Sequence, residues 1–101
     1  KRIEKVMRYI QENPDKSLTN QQYADMINMS KFYFIRRFND IVGTTPQKYR
    51  LNILLEKSLL LLEDSSIRIC EIASELGFED TYYFSKLFKK QFGISPSKYR
   101  K

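Results

Sequence analysis

An internal duplication constrains the fold of this 101-residue chain more than any other feature of its sequence. The segment at 27–50, INMSKFYFIRRFNDIVGTTPQKYR, returns fifty positions later at 77–100 as GFEDTYYFSKLFKKQFGISPSKYR. A repeat of this length corresponds to one supersecondary unit, so the chain is predicted to contain two structural units of the same kind. The residues identical in both copies are Tyr33/Tyr83, Phe34/Phe84, Phe38/Phe88, Gly43/Gly93, Pro46/Pro96, Lys48/Lys98, Tyr49/Tyr99 and Arg50/Arg100.

The first copy has the pattern of a helix, a tight turn and a second helix. Thr19 and Gln22 match a capping box that begins a short helix, and Ser30 can cap a longer one. Gly43 is placed to end the longer helix in a left-handed conformation. The apolar residues at helical spacing are predicted to face inward: Tyr23, Ala24 and Ile27, then Phe34, Phe38 and Ile41.

The second copy repeats this pattern with Glu79 or Asp80 as the cap of its longer helix and Gly93 as its end. Its inward residues are predicted to be Phe84, Leu87 and Phe88. In each copy a proline then begins a further helix, at the first helical position, where its missing N–H costs least. An amphipathic helix is predicted before the first copy, over 1–13, with Ile3, Val6, Met7 and Ile10 inward.

Between the copies, residues 46–62 are predicted to form one continuous helix that is apolar on nearly all sides. Two narrow polar seams remain, Arg50 with Lys57 and Asn52 with Glu56, so the helix must be covered on more than one side. The sequence therefore predicts an all-α fold of about seven helices. It divides into a helix-turn-helix subdomain at 1–45, a linker helix at 46–62 and a second helix-turn-helix subdomain at 63–101.

The charge distribution favours a polyanionic partner. The net charge is +6 and the pI is about 9.5. Basic residues crowd the stretch from Lys86 to Lys101, which contains no acid, whereas acids cluster between Glu56 and Asp80. Clustered lysine and arginine of this kind are typical of a nucleic-acid-binding domain.

Catalytic and metal chemistry find little support in the composition. The chain has no histidine and a single cysteine, Cys70, so no internal disulfide or cysteine cluster for zinc can form. Cys70 is interpreted as a small buried apolar residue. No catalytic constellation can be assembled, and no enzyme activity, cofactor or metal is predicted. The longest apolar run, Leu59–Leu62, is far too short for a membrane span, and the composition favours the cytoplasm.

The second copy carries the most specific motif: Glu71-Ile72-Ala73, Gly77-Phe78, Tyr83-Phe84, Phe88-Lys89-Lys90, Gly93, and Ser95 to Arg100 as SPSKYR. With these residues the chain resembles, over nearly its whole length, the DNA-binding domain of the AraC/XylS family of bacterial transcription regulators. The resemblance implies sequence-specific binding of double-stranded DNA by two recognition helices, inserted into consecutive major-groove segments. It also implies a C-terminal domain of a regulator, more often an activator. Its partners would be RNA polymerase and a missing N-terminal effector or dimerisation domain, and the isolated domain would be a monomer.

The family's base-reading positions fall on Phe32, Ile35 and Arg36 in the first copy and on Thr81, Tyr82, Ser85 and Lys86 in the second. Helical periodicity independently leaves these positions facing outward, opposite the paired phenylalanines. Arg36 is the best candidate for a bidentate contact to guanine, and Ile35 can touch only an apolar patch such as a thymine methyl. The predicted phosphate contacts are Ser30, Lys31, Tyr33, Arg37, Tyr83, Lys89, Lys90, Lys98 and Arg100.

Several residues depart from the family pattern. Arg68 stands where a serine or threonine cap is usual, and Asn39 stands where a lysine is frequent. Leu54, Leu59 and Leu60 make the linker helix unusually apolar and are predicted to form a contact surface. This excess keeps open an alternative, a helical protein-interaction module with degenerate helix-turn-helix units. Retention on heparin with a steep salt dependence would distinguish DNA binding from that alternative.

Overall fold

The computed structural model describes residues 1–100, and these residues form seven α-helices and no strand. The all-α prediction is therefore confirmed for the described part of the chain. No helix within it has the length and apolar character needed to cross a membrane. The helices are α1 (Arg2–Glu12), α2 (Asn20–Met26), α3 (Lys31–Val42), α4 (Pro46–Leu62), α5 (Ile69–Glu75), α6 (Thr81–Phe92) and α7 (Pro96–Arg100).

The chain forms two compact units, the first from Lys1 to Ile53 and the second from Leu54 onward. The boundary lies inside α4, which coincides with the helix predicted at 46–62. The first part of α4 thus belongs to one unit and its second part to the other. The predicted division at 45/46 and 62/63 instead treats the whole helix as a separate linker.

The core of the first unit joins α1, α2 and α3. Its buried residues have the predicted spacing, and Tyr49 and Ile53 from α4 pack against them while only partly buried. The Phe34 and Phe38 rings lie 5.7 Å apart, and Tyr49 meets Phe38 edge-on at 5.7 Å. The Phe34–Phe38 pair lies within α3, whereas the Phe38–Tyr49 pair packs α3 against the first part of α4. The buried residues of this core are Ile3, Val6, Ile10, Tyr23, Ala24, Ile27, Phe34 and Phe38.

The second unit has a core of the same kind, built around α6. Phe84 lies 5.2 Å from Phe78 and 5.9 Å from Phe88, measured between ring centroids. Phe88 also meets Tyr99 edge-on at 5.8 Å, the counterpart of the Phe38–Tyr49 pair. The repeated sequence has therefore produced repeated packing in each unit.

The predicted helix caps are present. The Thr19 Oγ1 accepts from the Gln22 amide at 3.1 Å, and the Gln22 Oε1 accepts from the Thr19 amide at 2.8 Å. Ser30 caps α3, and Asp80 rather than Glu79 caps α6. These bonds satisfy amides that a helix start would otherwise leave unpaired.

The helix α5 begins at a cap position occupied by Arg68, where a serine or threonine is usual. Arg68 occupies the cap position without a side-chain cap bond, but its amide donates to the Glu71 Oε1 at 2.8 Å. The Arg68 guanidinium lies 3.6 Å from the other carboxylate oxygen of Glu71. The main-chain hydrogen bond is the largest cause that lowers the pKa of Glu71. Half of a capping box thus suffices to begin this helix.

Two predictions about α3 and α5 were wrong. Ile41 is 48% exposed, and Val42, four residues after Phe38, packs against the core instead. Cys70 is exposed rather than buried. The short helix α5 buries Ile72 and Ala73, and a residue two positions before Ile72 lies about 200° around the helix, on the opposite face.

Two predictions about α4 were also wrong. The sequence predicts Arg50 in an exposed polar seam of α4. In the structure Arg50 is only 7% exposed, and its Nε has no hydrogen-bond partner among the described residues. The sequence predicts Leu54 on a contact surface. In the structure it is 1% exposed and lies in the core with Leu55 and Leu62. Leu60, at 72% exposed, remains on the surface. Leu59 is of intermediate exposure.

Candidate nucleic-acid interface

α3 and α6 each present one face to solvent and one to the core of their own unit. Both helices are 12 residues long, and both end at a glycine with a left-handed backbone, Gly43 at φ 89° and Gly93 at φ 87°. Both bury a phenylalanine pair spaced four residues apart, so the residues on the opposite side must face outward. These two helices are the recognition helices that the sequence predicts.

All the predicted base contacts except Ile35 lie on these outward faces. Phe32 is 76% exposed and Tyr82 is 74% exposed, although large aromatic rings are usually buried in small domains. Arg36 and Lys86 are exposed at matching positions, and Thr81 and Ser85 are partly exposed. Ile35 is partly buried and packs against the core of the first unit. Their contact with bases stays a prediction, which this arrangement permits.

The predicted phosphate contacts of the first unit surround the N-terminal part of α3. The Ser30 Oγ accepts from the Tyr33 amide at 3.3 Å, and its own proton remains available for a phosphate oxygen. The Lys31 ammonium sits 5.0 Å from the centroid of the Phe32 ring. Tyr33 and Arg37 are exposed one turn apart, and they share a groove of about 240 Å³ with Lys1 and Arg2.

The corresponding residues of the second unit are distributed along α6 and α7, with Lys89 and Lys90 in the last turn of α6. Lys86, Lys89 and Lys90 line a cleft of about 470 Å³ together with Tyr82, Ser85 and Ser95. Three ammonium groups and three hydroxyl groups around one opening form an arrangement suited to phosphate oxygens. Tyr83, in the first turn of α6, is half exposed, and its ring lies 6.3 Å from that of Phe78.

Arg100 has a structural role that the sequence did not predict. Its Nε donates to the Leu62 carbonyl at 3.0 Å, and its Nη2 donates to the Asp64 carbonyl at 3.2 Å. These bonds tie α7 to the end of α4 within the second unit. A phosphate contact by Arg100 stays a prediction, and it would have to use the remaining guanidinium donors. Lys98, two residues earlier, is exposed and free of such bonds among the described residues.

Sequence reasoning missed three polar residues that line these openings, Lys1, Arg2 and Ser95. Arg2 donates to the carbonyl oxygens of Ile27 and Asn28, which holds its guanidinium at the mouth of the first groove. The Ser95 Oγ accepts from the Lys98 amide at 3.3 Å. The repeat offered a signal for Ser95, because Thr45 is its hydroxyl-bearing counterpart. No local pattern pointed to Arg2, whose contacts are distant in sequence.

An all-helical chain with two helix-turn-helix units and basic outward faces belongs to the class of double-stranded DNA-binding domains. Comparison with known proteins agrees. A profile described as a helix-turn-helix domain matches residues 23–101. The MmsAB operon regulatory protein of Pseudomonas aeruginosa is 37% identical over 92 residues, which is 91% of this chain and 30% of that protein.

Two solved structures are similar over almost the whole chain. The C-terminal domain of AraT, a response regulator from Geobacillus stearothermophilus, superposes with a TM-score of 0.89 at 32% identity, covering 98% of this chain and 83% of that one. The DNA-binding domain of AdpA, a global transcriptional factor solved with a target DNA, gives 0.88 at 26% identity, covering 97% and 88%. The chain belongs to the AraC-type helix-turn-helix family of DNA-binding domains of transcription regulators. It spans about a third of the length of the curated relatives it matches.

Proposed function

We propose that this domain binds double-stranded DNA in a sequence-specific manner by inserting α3 and α6 into consecutive major-groove segments. The observation that carries the proposal is the repeated outward face, with exposed Phe32 and Arg36 on one helix and exposed Tyr82 and Lys86 on the other. Large exposed aromatics beside cationic groups are costly for solubility and fit a helix that contacts base edges and sugars.

The two helices differ at nearly every outward position, so the bound site is expected to be asymmetric and occupied by one monomer. Consecutive major-groove segments on one side of B-DNA lie about 10–10.5 base pairs apart. A straight duplex that does not fit would bend, at a cost on the order of 1–6 kcal/mol. The expected footprint covers about two helical turns.

The role of the whole protein is proposed on the basis of the family. The domain acts within a longer regulator, at its C-terminal end, and the remainder supplies an effector-binding or dimerisation domain. We place the regulator in the cytoplasm, with RNA polymerase as a partner and activation as the outcome. The domain itself carries no enzyme activity, since AraC-type domains serve regulation through DNA. A reporter gene under a selected site would show activation or repression directly.

The decisive experiment selects bound sites from a random duplex pool and then inserts five base pairs between the two halves of the selected site. The insertion turns one half of the site to the opposite side of the duplex. The affinity for the selected site, on the order of 10³-fold or more above that for nonspecific DNA, should then fall close to the nonspecific affinity. Five base pairs added outside the site serve as the control and should change nothing. Unchanged affinity after the internal insertion would show that a single helix reads sequence.

A protein-interaction module without DNA binding remains the competing function, favoured by the 72% exposure of Leu60. It predicts no retention on DNA-cellulose above that of a protein of equal charge. DNA binding instead predicts retention that falls steeply with salt, because phosphate contacts release counterions.

A further inference from the structure

The two recognition helices are bordered differently by the other helices of their own units. In the first unit, Tyr33 and Arg37 share a groove with Arg2 at the start of α1. In the second unit, Ser85 and Lys89 share a cleft with Ser95 at the start of α7. We call the side of a recognition helix that carries the positions of Tyr33 and Arg37 its first flank. The side that carries the positions of Ser85 and Lys89 is its second flank.

These flanks lie on opposite sides of a helix. The repeat pairs Arg37 with Leu87 and Asn39 with Lys89, and positions two residues apart are separated by about 200° around the axis. Arg37 and Lys89 therefore project from opposite sides of helices that are otherwise equivalent. The cation of each unit is replaced by a neutral residue at the same position of the other unit.

The surrounding charges of the two helices also differ. Lys90 lines the same cleft as Lys89, but it lies about 100° around the helix from Lys89 and about 60° from Leu87. Its counterpart in α3 is Asp40, an exposed acid. The last turn of α6 carries Lys89 and Lys90, and the last turn of α3 carries no basic residue. On the second flank itself, α3 carries the neutral Asn39 where α6 carries Lys89, so this flank of α3 offers no cation to a phosphate.

We infer that the two units hold DNA phosphates on opposite flanks of their recognition helices. The first unit uses its first flank, with Arg37, Tyr33 and Arg2, and the second unit uses its second flank, with Lys89 and Ser95. A helix in the major groove lies between the two phosphate strands, so each unit is anchored mainly to one strand of its segment. This inference rests on the proposed DNA binding, and it adds Arg2 and Ser95 to the phosphate contacts.

The test scans the selected duplex with neutral methylphosphonate linkages, one phosphate at a time on each strand, and measures affinity for the unaltered chain and two variants. Arg37→Leu and Lys89→Asn each install the residue that the other unit carries at that position. Each variant should become insensitive to methylphosphonates at phosphates of a single strand within its own segment. Each should also lower the slope of log K against log salt by about 0.9 for every phosphate that the variant no longer binds.

Matched variants separate these effects from folding and from bulk charge. Arg37→Lys keeps the cation and should keep most of the slope, while Lys16→Asn removes an exposed cation from the turn before α2 and should leave the methylphosphonate pattern unchanged. Helix content by circular dichroism should equal that of the unaltered chain for all four variants, since every altered side chain is exposed.

Each outcome decides a different question. Insensitivity confined to one strand in both segments supports the inference. Insensitivity spread over both strands of a segment, or an unchanged pattern in Arg37→Leu and Lys89→Asn, overturns the inference while leaving DNA binding intact. Absence of duplex binding by the unaltered chain overturns the proposed function itself.

Discussion

Equivalent arginines end the two repeats in different surroundings. Arg100 is tied by hydrogen bonds to the carbonyls of Leu62 and Asp64, whereas Arg50 is buried and its Nε has no partner among the described residues. Burial raises the pKa of the nearby Tyr23 phenol, and the positive charge of Arg50 opposes that rise. The same position of the repeat therefore links α7 to the end of α4 in the second unit. In the first unit its positive charge partly offsets the rise in the pKa of a buried phenol.

The Tyr23 phenol makes the stability of the first unit sensitive to alkaline pH. Its pKa is higher in the folded state than in the unfolded chain, where it is about 10. The stability it contributes is thus complete below about pH 10 and is lost as pH rises through the folded value. Urea unfolding of Tyr23→Phe from about pH 8 to about pH 11 should show a shallower decline than the unaltered chain. The exposed Tyr82→Phe is the control, and equal declines in all three proteins would contradict the argument.

Arg36 is expected to read a base rather than to bind a phosphate. Because it stands on the outward face of α3 opposite Phe34, its truncation should remove discrimination at one or two base pairs, worth about 1–3 kcal/mol. Competition binding of Arg36→Ala to the selected site and to single-base variants measures this. Lys90→Ala is the contrasting variant, since it should weaken binding to all duplexes alike and lower the salt slope by about 0.9. Equal losses by Arg36→Ala on selected and random DNA would exclude base reading.

At the scale of elements, the repeat acts through the ends of its helices. Thr19, Ser30 and Asp80 begin helices with side-chain bonds, and Gly43 and Gly93 end them with nearly the same left-handed backbone. α4 differs from the other helices because it contributes buried residues to both compact units. The caps fix the first and last residues of each recognition helix. The outward residues therefore keep a constant position relative to the buried phenylalanines of the same helix.

Gly43 and Gly93, which end α3 and α6, should tolerate substitution poorly because of their left-handed backbone conformation alone. A Cβ on Gly43 or Gly93 would meet no atom within 4 Å, so only the left-handed conformation opposes a side chain. Gly93→Ala is expected to lower the free energy of unfolding by about 1–2 kcal/mol, measured by urea denaturation. Gly93→Asn should cost less, because asparagine enters this region more readily. An alanine variant as stable as the unaltered chain would show that the helix end relaxes.

At the scale of the whole molecule, Leu60 of α4 is a large apolar side chain that lies outside the core. Leu54 is buried in the core, but Leu60 stands in solvent beside Glu56 and Glu63. Since the chain is about a third as long as its curated relatives, we propose that another part of the full regulator contacts Leu60.

Leu60→Lys should therefore leave the stability and DNA binding of this domain unchanged but reduce regulation of a reporter gene by the full-length protein. Leu54→Lys is the contrast and should unfold the domain, because it buries a charge without a partner. Normal regulation by full-length Leu60→Lys would exclude the proposed contact. Unfolding of the domain by that variant would instead show that Leu60 belongs to the core.

The sequence by itself determined the elements, because the interactions that specify them are local. Capping boxes, glycine ends and the four-residue spacing of phenylalanines act within a few residues, and Thr19, Ser30, Gly43 and the helix at 46–62 were all predicted correctly. The fifty-residue repeat predicted two equivalent units. Helical periodicity predicted which residues of α3 and α6 face outward, with Ile35 and Ile41 as exceptions.

Only the tertiary structure decided which side chains of each element are covered. The burial of Leu54 and Arg50, and the exposure of Ile41, depend on neighbours far away in the sequence. The openings beside Arg37 and Lys89 likewise require Arg2 of α1 and Ser95, the residue before α7. Periodicity gives the direction of a side chain around its own helix, whereas burial depends on whether another element occupies that direction.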